Sequence, residues 1–313
     1  FLSLATDQVR ANEFQAARYQ LTSLPKTGFY PYLKSLLIAW TVAGDGEGDS
    51  ALEKLKFLSE SSNFSATHDY HAGLIADLFG MNDAAHATYR SAVSSVRGPR
   101  LRSVLAAGSF YERNGRAEEA RRLYEAFPNA GPETTALDTA LKRLQDGHVA
   151  LPFVNDARQG YAEALFEIAA SFFKDRAYEP ALIYVQMALH VRPDLDVGRI
   201  LLADIYVATE HYVDAVGAFR EVSPESPFRW SARIRLANAL NQAGELDQAS
   251  KELRALATER TERADPLMAL ADLFRSEERY QDAVSVYDEA IERIAEIQQH
   301  HWTLFYARGM SLE

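Results

Sequence analysis

Apolar and small side chains recur along this chain at spacings typical of packed helices. Ala181, Ala215, Ala249 and Ala283 are each 34 residues apart. A small residue stands twelve positions before each of them, and a larger apolar residue four positions after: Ala169, Ala203, Ala237 and Ala271, then Val185, Phe219, Leu253 and Tyr287. A fixed period of this length predicts a stacked array of small structural units rather than one globular core.

The same period continues towards the N-terminus. The corresponding alanines are Ala17, Ala51, Ala85 and Ala120, and the small residues before them are Ala5, Ala39, Gly73 and Gly108. Within each unit the apolar positions follow the 3.6-residue spacing of two amphipathic helices of about three turns. Small residues where two helices cross allow their axes to approach closely. We therefore predict an all-α fold of eight antiparallel helix pairs in two blocks of four.

The period fails once, between Ala120 and Ala181, which are 61 residues apart. One extra helix is predicted within 132–144, followed by a loop over 148–158. We accordingly divide the chain into an N-terminal block of four repeats at 1–128, an irregular insert at 129–160 and a C-terminal block at 161–313. The insert is either a flexible hinge or a packed linker helix, and the sequence leaves both open.

The end of the chain resembles the start of another unit. Residues 301–313 have the pattern of a first helix, with Gly309 at the small position, and the preceding helix is expected to run on through Ile294 and Ile297. We expect a partial ninth repeat whose apolar face lacks its partner helix. We therefore expect the chain to continue into further repeats, and the open helix to support self-association.

Two stretches carry a resemblance to a known family, 116–124 (RAEEARRLY) and 280–287 (YQDAVSVY). Together with a small residue at position 8, alanine at 20, an aromatic at 24 and proline at 32 of a 34-residue unit, they resemble the tetratricopeptide repeat (TPR). The tryptophan that the family carries early in the first helix is absent. The resemblance is greatest to long multi-repeat bacterial TPR proteins, and it implies a right-handed superhelical solenoid of helix pairs.

The resemblance also implies that the first helix of each repeat lines a concave groove. In the second block the expected partner-binding residues are Phe166, Phe173, Lys174, Asp204, Val207, Asn238, Asn241, Gln242, Met268, Asp272 and Arg275, with Glu163 beside them. The first block contributes Trp40, Tyr70, Asp77, Arg102, Ser109, Glu112 and Arg113. Amides can pair with the backbone of an extended peptide while apolar neighbours hold its side chains, although the same amides can equally be plain surface residues.

The net charge of −11 is concentrated in the second half of the chain. Residues 160–313 carry 16 basic and 26 acidic side chains, whereas residues 1–128 carry 14 of each. A solvated surface is the simpler explanation. The acidic half nevertheless disfavours nucleic acid and suits a basic or neutral partner. No run approaches the ~18 apolar residues of a membrane-spanning helix. The absence of cysteine excludes thiol chemistry and leaves bacterial cytoplasm and periplasm both open.

No stretch carries the pattern of a catalytic or metal site. Residues 44–49 alternate glycine with acidic residues like a calcium loop, but Lys56 stands where the last ligand is expected. His68 and His71 could hold a metal only with a third ligand. We predict no catalytic residue, metal or cofactor, and a scaffold that binds a protein or peptide within a bacterial multiprotein assembly. The alternatives are a repeat arm of a larger enzyme or transport machine and a homo-oligomerisation module.

Overall fold

The computed structural model describes residues 1–94, 98–128, 131–294, 297 and 301–312, and these residues form eighteen α-helices and no strand. The first nine are α1 (Leu2–Arg10), α2 (Phe14–Thr22), α3 (Tyr30–Gly44), α4 (Gly48–Ser59), α5 (Ser65–Leu78), α6 (Asn82–Val93), α7 (Leu101–Arg113), α8 (Ala117–Glu125) and α9 (Thr135–Gln145). The others are α10 (Ala157–Lys174), α11 (Tyr178–Val191), α12 (Asp196–Ala208), α13 (Tyr212–Arg220), α14 (Arg229–Gln242), α15 (Leu246–Glu259), α16 (Asp265–Ser276), α17 (Tyr280–Glu292) and α18 (Trp302–Met310).

Most helices are packed in consecutive pairs, which confirms the predicted all-α architecture. We call the first helix of a pair its A helix and the second its B helix. The packed pairs are α1/α2, α3/α4, α5/α6, α7/α8, α10/α11, α14/α15 and α16/α17. Helices α12 and α13 form the remaining consecutive pair, and their Ala203 and Ala215 belong to one buried core cluster. Helix α9 is the extra helix of the insert, and α18 stands at the position predicted for a ninth A helix.

The repeating small residues are the points at which A and B helices cross. Every alanine of the period is 0% exposed. Gly73 lies against the ring of Tyr89, and Gly108 against the ring of Tyr124, so closely that a Cβ on either glycine would overlap the ring. The small residue of the A helix therefore makes room for the large residue of the B helix, as expected for close helix packing.

The chain divides by its internal contacts into two compact units. The first unit consists of Phe1–Pro128 and Leu137–Gly198, and the second of Asn129–Ala136 and Arg199–Glu313. In the first unit, the pair α10/α11 packs back against α1, α3 and α5. The boundaries predicted at residues 128 and 160 differ from the limits of these units. They follow from the repeat period, which locates the repeats along the sequence but does not indicate which helices pack together. As a division into repeat blocks they stay a prediction.

The end of α17 differs from the sequence prediction. The continuation through Ile294 and Ile297 is wrong, because α17 ends at Glu292 and neither isoleucine is helical. The next residue, Arg293, donates hydrogen bonds to the carbonyl oxygens of Ala257 and Arg263 at 2.8 and 3.1 Å. These bonds hold the chain against the preceding repeat and satisfy a carbonyl in the last turn of α15. The predicted continuation over 295–296 lies outside the described residues.

Candidate partner-binding site

The side of the A helices that is expected to line the groove is called here the A-helix face. In the first unit, this face of α3, α5 and α7 is covered by α10 of the same chain. Tyr70 of α5 and Arg102 of α7 both donate hydrogen bonds to the Glu163 carboxylate, which is 0% exposed. Trp40 of α3 is also fully buried and packs on Gly160, where a Cβ would overlap its ring. The residues expected to hold a partner at this face therefore bind a helix of the same chain.

The carboxylates of α10 are held in their charged form. Burial raises the pKa of Glu163, but the charge and hydrogen bonds of Arg102 outweigh it, so the pKa lies below its usual range. Burial likewise raises the pKa of Glu167, whereas His71, Arg100 and Thr67 lower it, with a net value of about 2. Both carboxylates are thus ionised at neutral pH and act as ion-pair partners that fix α10 on the A helices.

The C-terminal end of the same face is covered by the segment after α9. Glu112 of α7 accepts hydrogen bonds from Arg143 and, at 2.9 Å, from the backbone N–H of Ala150. Ser109 donates a hydrogen bond of 2.8 Å to the carbonyl oxygen of Leu151. The contacts to Ala150 and Leu151 are the ones that an extended peptide would make, and here residues 150–151 make them. The two remaining expected residues bond to each other: Arg113 donates a hydrogen bond of 2.5 Å to the carboxylate of Asp77.

Three of the expected second-block residues belong to the first unit. Phe166 lies under the guanidinium group of Arg102, with 5.3 Å between Cζ and the ring centre. Phe173 is half-buried beside Tyr178. Lys174 is exposed at the end of α10. The structure therefore places these three side chains on a different compact unit from the other eight expected residues.

In the second unit, the start of the A-helix face is closed by an ion-pair cluster. Arg235 of α14 pairs with Asp204 of α12 and with Glu133 of the turn before α9. Burial is the main cause that raises the pKa of Asp204 to about 6, and the Glu133 charge adds to it, while Arg235 opposes it. Asp204 is therefore engaged within the unit. Val207, one turn further along α12, is half-buried against the core of the unit.

Further along, the face of α14 and α16 is open. Asn238, Gln242, Asp272 and Arg275 are exposed. Asn241 is half-buried; its amide nitrogen makes a long hydrogen bond of 3.4 Å to Ser276, and its oxygen is buried without a partner among the described residues. Such an arrangement leaves amide groups that can pair with the backbone of a bound peptide.

A cavity of about 230 Å³ adjoins this open face between α16, α17 and α18. Met268, Leu304 and Ala307 line it together with Tyr306, and a polar group stands at one side. In that group the Tyr287 hydroxyl donates to Asp272 at 2.5 Å, and Arg275 donates to the Tyr287 oxygen at 3.3 Å. The cavity has room for one large side chain. We name the open face and this cavity together the α14–α18 face.

The sequence prediction found Met268, Asp272 and Arg275 but missed the tyrosines of this cavity. Tyr287 was assigned only to packing, as the large residue one turn after the repeating alanine. Its ring is indeed buried, yet its hydroxyl reaches the A-helix face. Tyr306 could have been found, because it stands at an A-helix position of the partial ninth repeat.

The histidines considered as metal ligands have other partners. His68 bonds to Asp69 at 2.9 Å, whereas the buried His71 accepts from the Trp40 indole and bonds to Glu167. The two imidazole groups therefore bond to different residues and do not face a common ligand. In the described part of the chain no group of three or more histidine, aspartate or glutamate side chains is placed to hold a metal ion. Among the described helices, none combines the length and apolar character needed to cross a bilayer.

Comparison with known proteins agrees with this geometry. Two family models, both described as tetratricopeptide repeat, match residues 200–267 and 267–300. They fall on consecutive helix pairs of the second unit, in which the alanines of the period are buried. Residues 200–300 of the chain are therefore tetratricopeptide repeats (TPR). No curated protein matches the chain.

Several solved structures align with the chain at low identity and with TM-scores below 0.5. A TPR protein from Parabacteroides merdae is 16% identical with a TM-score of 0.40, over 90% of this chain and 99% of that one. A thermophilic TPR protein from Thermus thermophilus is 20% identical with a TM-score of 0.41, over 67% and 97%. MamA from MSR-1 is 18% identical with a TM-score of 0.36, over 61% and 94%. Proteins with TPR folds are typically non-catalytic and bind protein partners through extended surfaces.

Proposed function

We propose that this protein is an interaction scaffold that binds an extended peptide segment of a protein partner on the α14–α18 face. The observation that supports this choice is the contrast between the two units. The A-helix face of the first unit is covered by α10 and residues 150–151. The α14–α18 face keeps exposed amides and charges next to a cavity.

The side chains of the α14–α18 face indicate what kind of peptide segment it binds. Asn238, Asn241 and Gln242 offer amide donors and acceptors for a peptide backbone. The cavity beside Met268 suits one large apolar or aromatic side chain of the peptide. The Asp272 side chain is 55% exposed at the rim, and Arg275 is its neighbour. An acidic peptide would add like charge to a unit that is already acidic, so a neutral or basic segment fits better. We propose that such a partner belongs to a bacterial multiprotein assembly.

A library experiment tests this assignment without a known partner. A random dodecapeptide library displayed on phage is selected against the wild-type protein, and the selected peptide is labelled and titrated by fluorescence anisotropy. The side chains of Asn238 and Gln242 are both exposed, so Asn238→Ala and Gln242→Ala should leave the unfolding midpoint unchanged. Their combination should weaken binding by about tenfold, which corresponds to ~1.4 kcal/mol.

The matched control is Gln281→Ala, another exposed amide, on the B helix α17 of the same unit. It should bind the peptide as the wild type does. Equal affinity of the wild type and the Asn238→Ala/Gln242→Ala variant would show that the α14–α18 face is not the peptide site.

A specific observation also favours self-association as a second candidate function. Helix α18 carries Trp302, Tyr306 and Met310 at successive turns, and they are 62%, 61% and 50% exposed. Three large apolar side chains on one helical stripe are typical of a surface that another helix covers. We propose that two copies of the chain can pair through this stripe.

A further inference from the structure

A second cleft lies in the first unit. It has a volume of about 400 Å³ and is formed by the loop before α3, by α3 and by α4. Its walls are partly apolar, with Phe57 41% exposed on one side. Its lining residues are Pro25, Lys26, Pro31, Lys34, Ser35, Ile38, Lys54 and Phe57. We name this site the lysine cleft.

The lysine cleft concentrates positive charge in a protein that is otherwise acidic. The whole sequence has only seven lysines, and three of them, Lys26, Lys34 and Lys54, line this one cleft. No carboxylate is among its lining residues. In the described part of the chain none of the three makes an ion pair, whereas the neighbouring Lys56 pairs with Glu53 on α4. The three ammonium groups therefore leave a local positive potential that no lining residue neutralises.

The backbone adds to this potential. Helix α3, Tyr30–Gly44, begins beside the cleft and has no acidic residue in its first turn. Its fifteen residues direct the positive end of their dipole towards Pro31 and Lys34. Lys34 is held in place because its ammonium group donates a hydrogen bond of 2.8 Å to the carbonyl oxygen of Thr22. The site is thus a positively charged cleft that is partly preorganised and has apolar walls.

We propose that the lysine cleft binds a short acidic peptide segment of a protein, in which carboxylates flank an apolar side chain. The carboxylates would pair with Lys26 and Lys54, and the apolar side chain would contact Phe57 and Ile38. A long polyanion such as DNA or an anionic membrane fits less well, because only three lysines line the cleft and residues 1–128, to which it belongs, carry no net positive charge. This site is independent of the α14–α18 face, and the two would take peptides of opposite charge.

A defined probe tests the proposal. The probe is a fluorescein-labelled hexapeptide of sequence Asp-Glu-Leu-Asp-Glu-Phe, titrated by anisotropy with the full chain at low salt. Its control is the amide analogue Asn-Gln-Leu-Asn-Gln-Phe. The acidic probe should bind at concentrations below about 1 mM and weaken as salt is added, while the amide analogue should bind at least about tenfold more weakly.

Charge reversal then locates the site. Lys26→Glu and Lys54→Glu change exposed side chains, so the fold should persist, which circular dichroism checks. The double variant should lose at least about tenfold in affinity for the acidic probe. The matched control is Lys251→Glu, an exposed lysine on α15 in the second unit, and it should bind the probe like the wild type.

Three results would overturn the proposal. The first is no binding of the acidic probe up to about 1 mM. The second is equal affinity of the wild type and the Lys26→Glu/Lys54→Glu variant. The third is tighter binding of phosphatidylserine vesicles or a DNA duplex than of the probe, lost in the same variant, which would assign the cleft to a membrane or a nucleic acid. None of these results bears on the α14–α18 face, whose own variants leave the lysine cleft intact.

Discussion

Arg102 on α7 donates hydrogen bonds to both carboxylate oxygens of Glu163 on α10. This bidentate pair joins the fourth A helix of the chain to the fifth, across the insert. The carboxylate is fully buried, and Tyr70 is its third donor, at 2.8 Å. The relationship explains why the A-helix face of α3, α5 and α7 is covered: Trp40, Tyr70 and Arg102, which were expected to hold a partner, already hold α10.

Replacing Arg102 should destabilise the first unit strongly. Arg102→Met leaves the buried Glu163 carboxylate without its counter-ion, at an expected cost of ~3–5 kcal/mol in urea unfolding. The double variant Arg102→Met/Glu163→Leu should recover part of that loss, because no buried charge remains. Arg121→Met, which removes an exposed pair with Glu118, should leave the midpoint unchanged. Equal effects of Arg102→Met and Arg121→Met would contradict the burial argument.

The pH dependence of the second unit should carry the signature of Asp204. Its folded pKa is raised to about 6, mainly by burial, and lies above the ~3.9 expected when unfolded. Between these values the folded state binds more protons, so the free energy of unfolding should fall as pH rises through about 4 to 6, by at most ~3 kcal/mol. Asp204→Asn should be more stable than the wild type at pH 7, with the difference shrinking towards pH 4.

The measurement is the difference in urea midpoint between wild type and Asp204→Asn at several pH values. Taking the difference removes the contributions of other carboxylates, such as Glu163 and Glu167, which have lowered pKa values. Asp214→Asn, an exposed change on α13, is the control and should show no trend. A pH-independent difference for Asp204→Asn would rule out a raised pKa.

Gly160 should be intolerant of any side chain. Gly160→Ala places a methyl group where the Trp40 ring lies, so α10 or α3 must shift, at an expected cost of ~1–3 kcal/mol. Gly217→Ala provides the contrast, because that glycine lies within α13 with open space around it. It should stabilise the protein by ~0.5–1 kcal/mol. Thermal unfolding of both variants measures the effects, and a stabilising Gly160→Ala would disprove the close contact.

Self-association through α18 should depend on its exposed stripe. The mass measured by light scattering should rise with protein concentration for the wild type. Trp302→Lys/Tyr306→Lys should stay monomeric, because charged side chains oppose burial of the stripe. Val213→Lys is the control, since it removes another exposed apolar residue, 77% exposed, from α13. A wild type that is strictly monomeric at every concentration would refute this candidate.

Much of the fold could be predicted from the repeat period alone. Ala181 and Ala215 stand where helices cross. The short distance between the helix axes restricts the size of the side chain at such positions, independently of the surface residues. The period also located α18 and the extra helix α9. It failed at Ile294, because the end of α17 depends on hydrogen bonds from Arg293 to the preceding repeat, and no local pattern reports those bonds.

The candidate site could be predicted only in part. Position within a repeat identified Asn238 and Asp272 as A-helix residues, and they are exposed. The same rule placed Tyr70 and Arg102 on a groove, but it cannot reveal that α10 covers them, because packing between distant repeats leaves no periodic signal. The sequence feature that could have revealed this packing is Glu163, which lies three residues after Gly160 in an apolar stretch of α10. A carboxylate that is buried there requires a partner.

The central claim is that a peptide binds the α14–α18 face and not the A-helix face of the first unit. Photo-cross-linking tests it most directly: the library-selected peptide, carrying a benzophenone at its centre, is irradiated with the wild-type protein, and mass spectrometry locates the modified residues. We predict cross-links on α14, α16 and α18, including residues near Met268 and Tyr306. Cross-links on α3, α5 and α7 would contradict the account, because they would show that α10 yields its place to a partner.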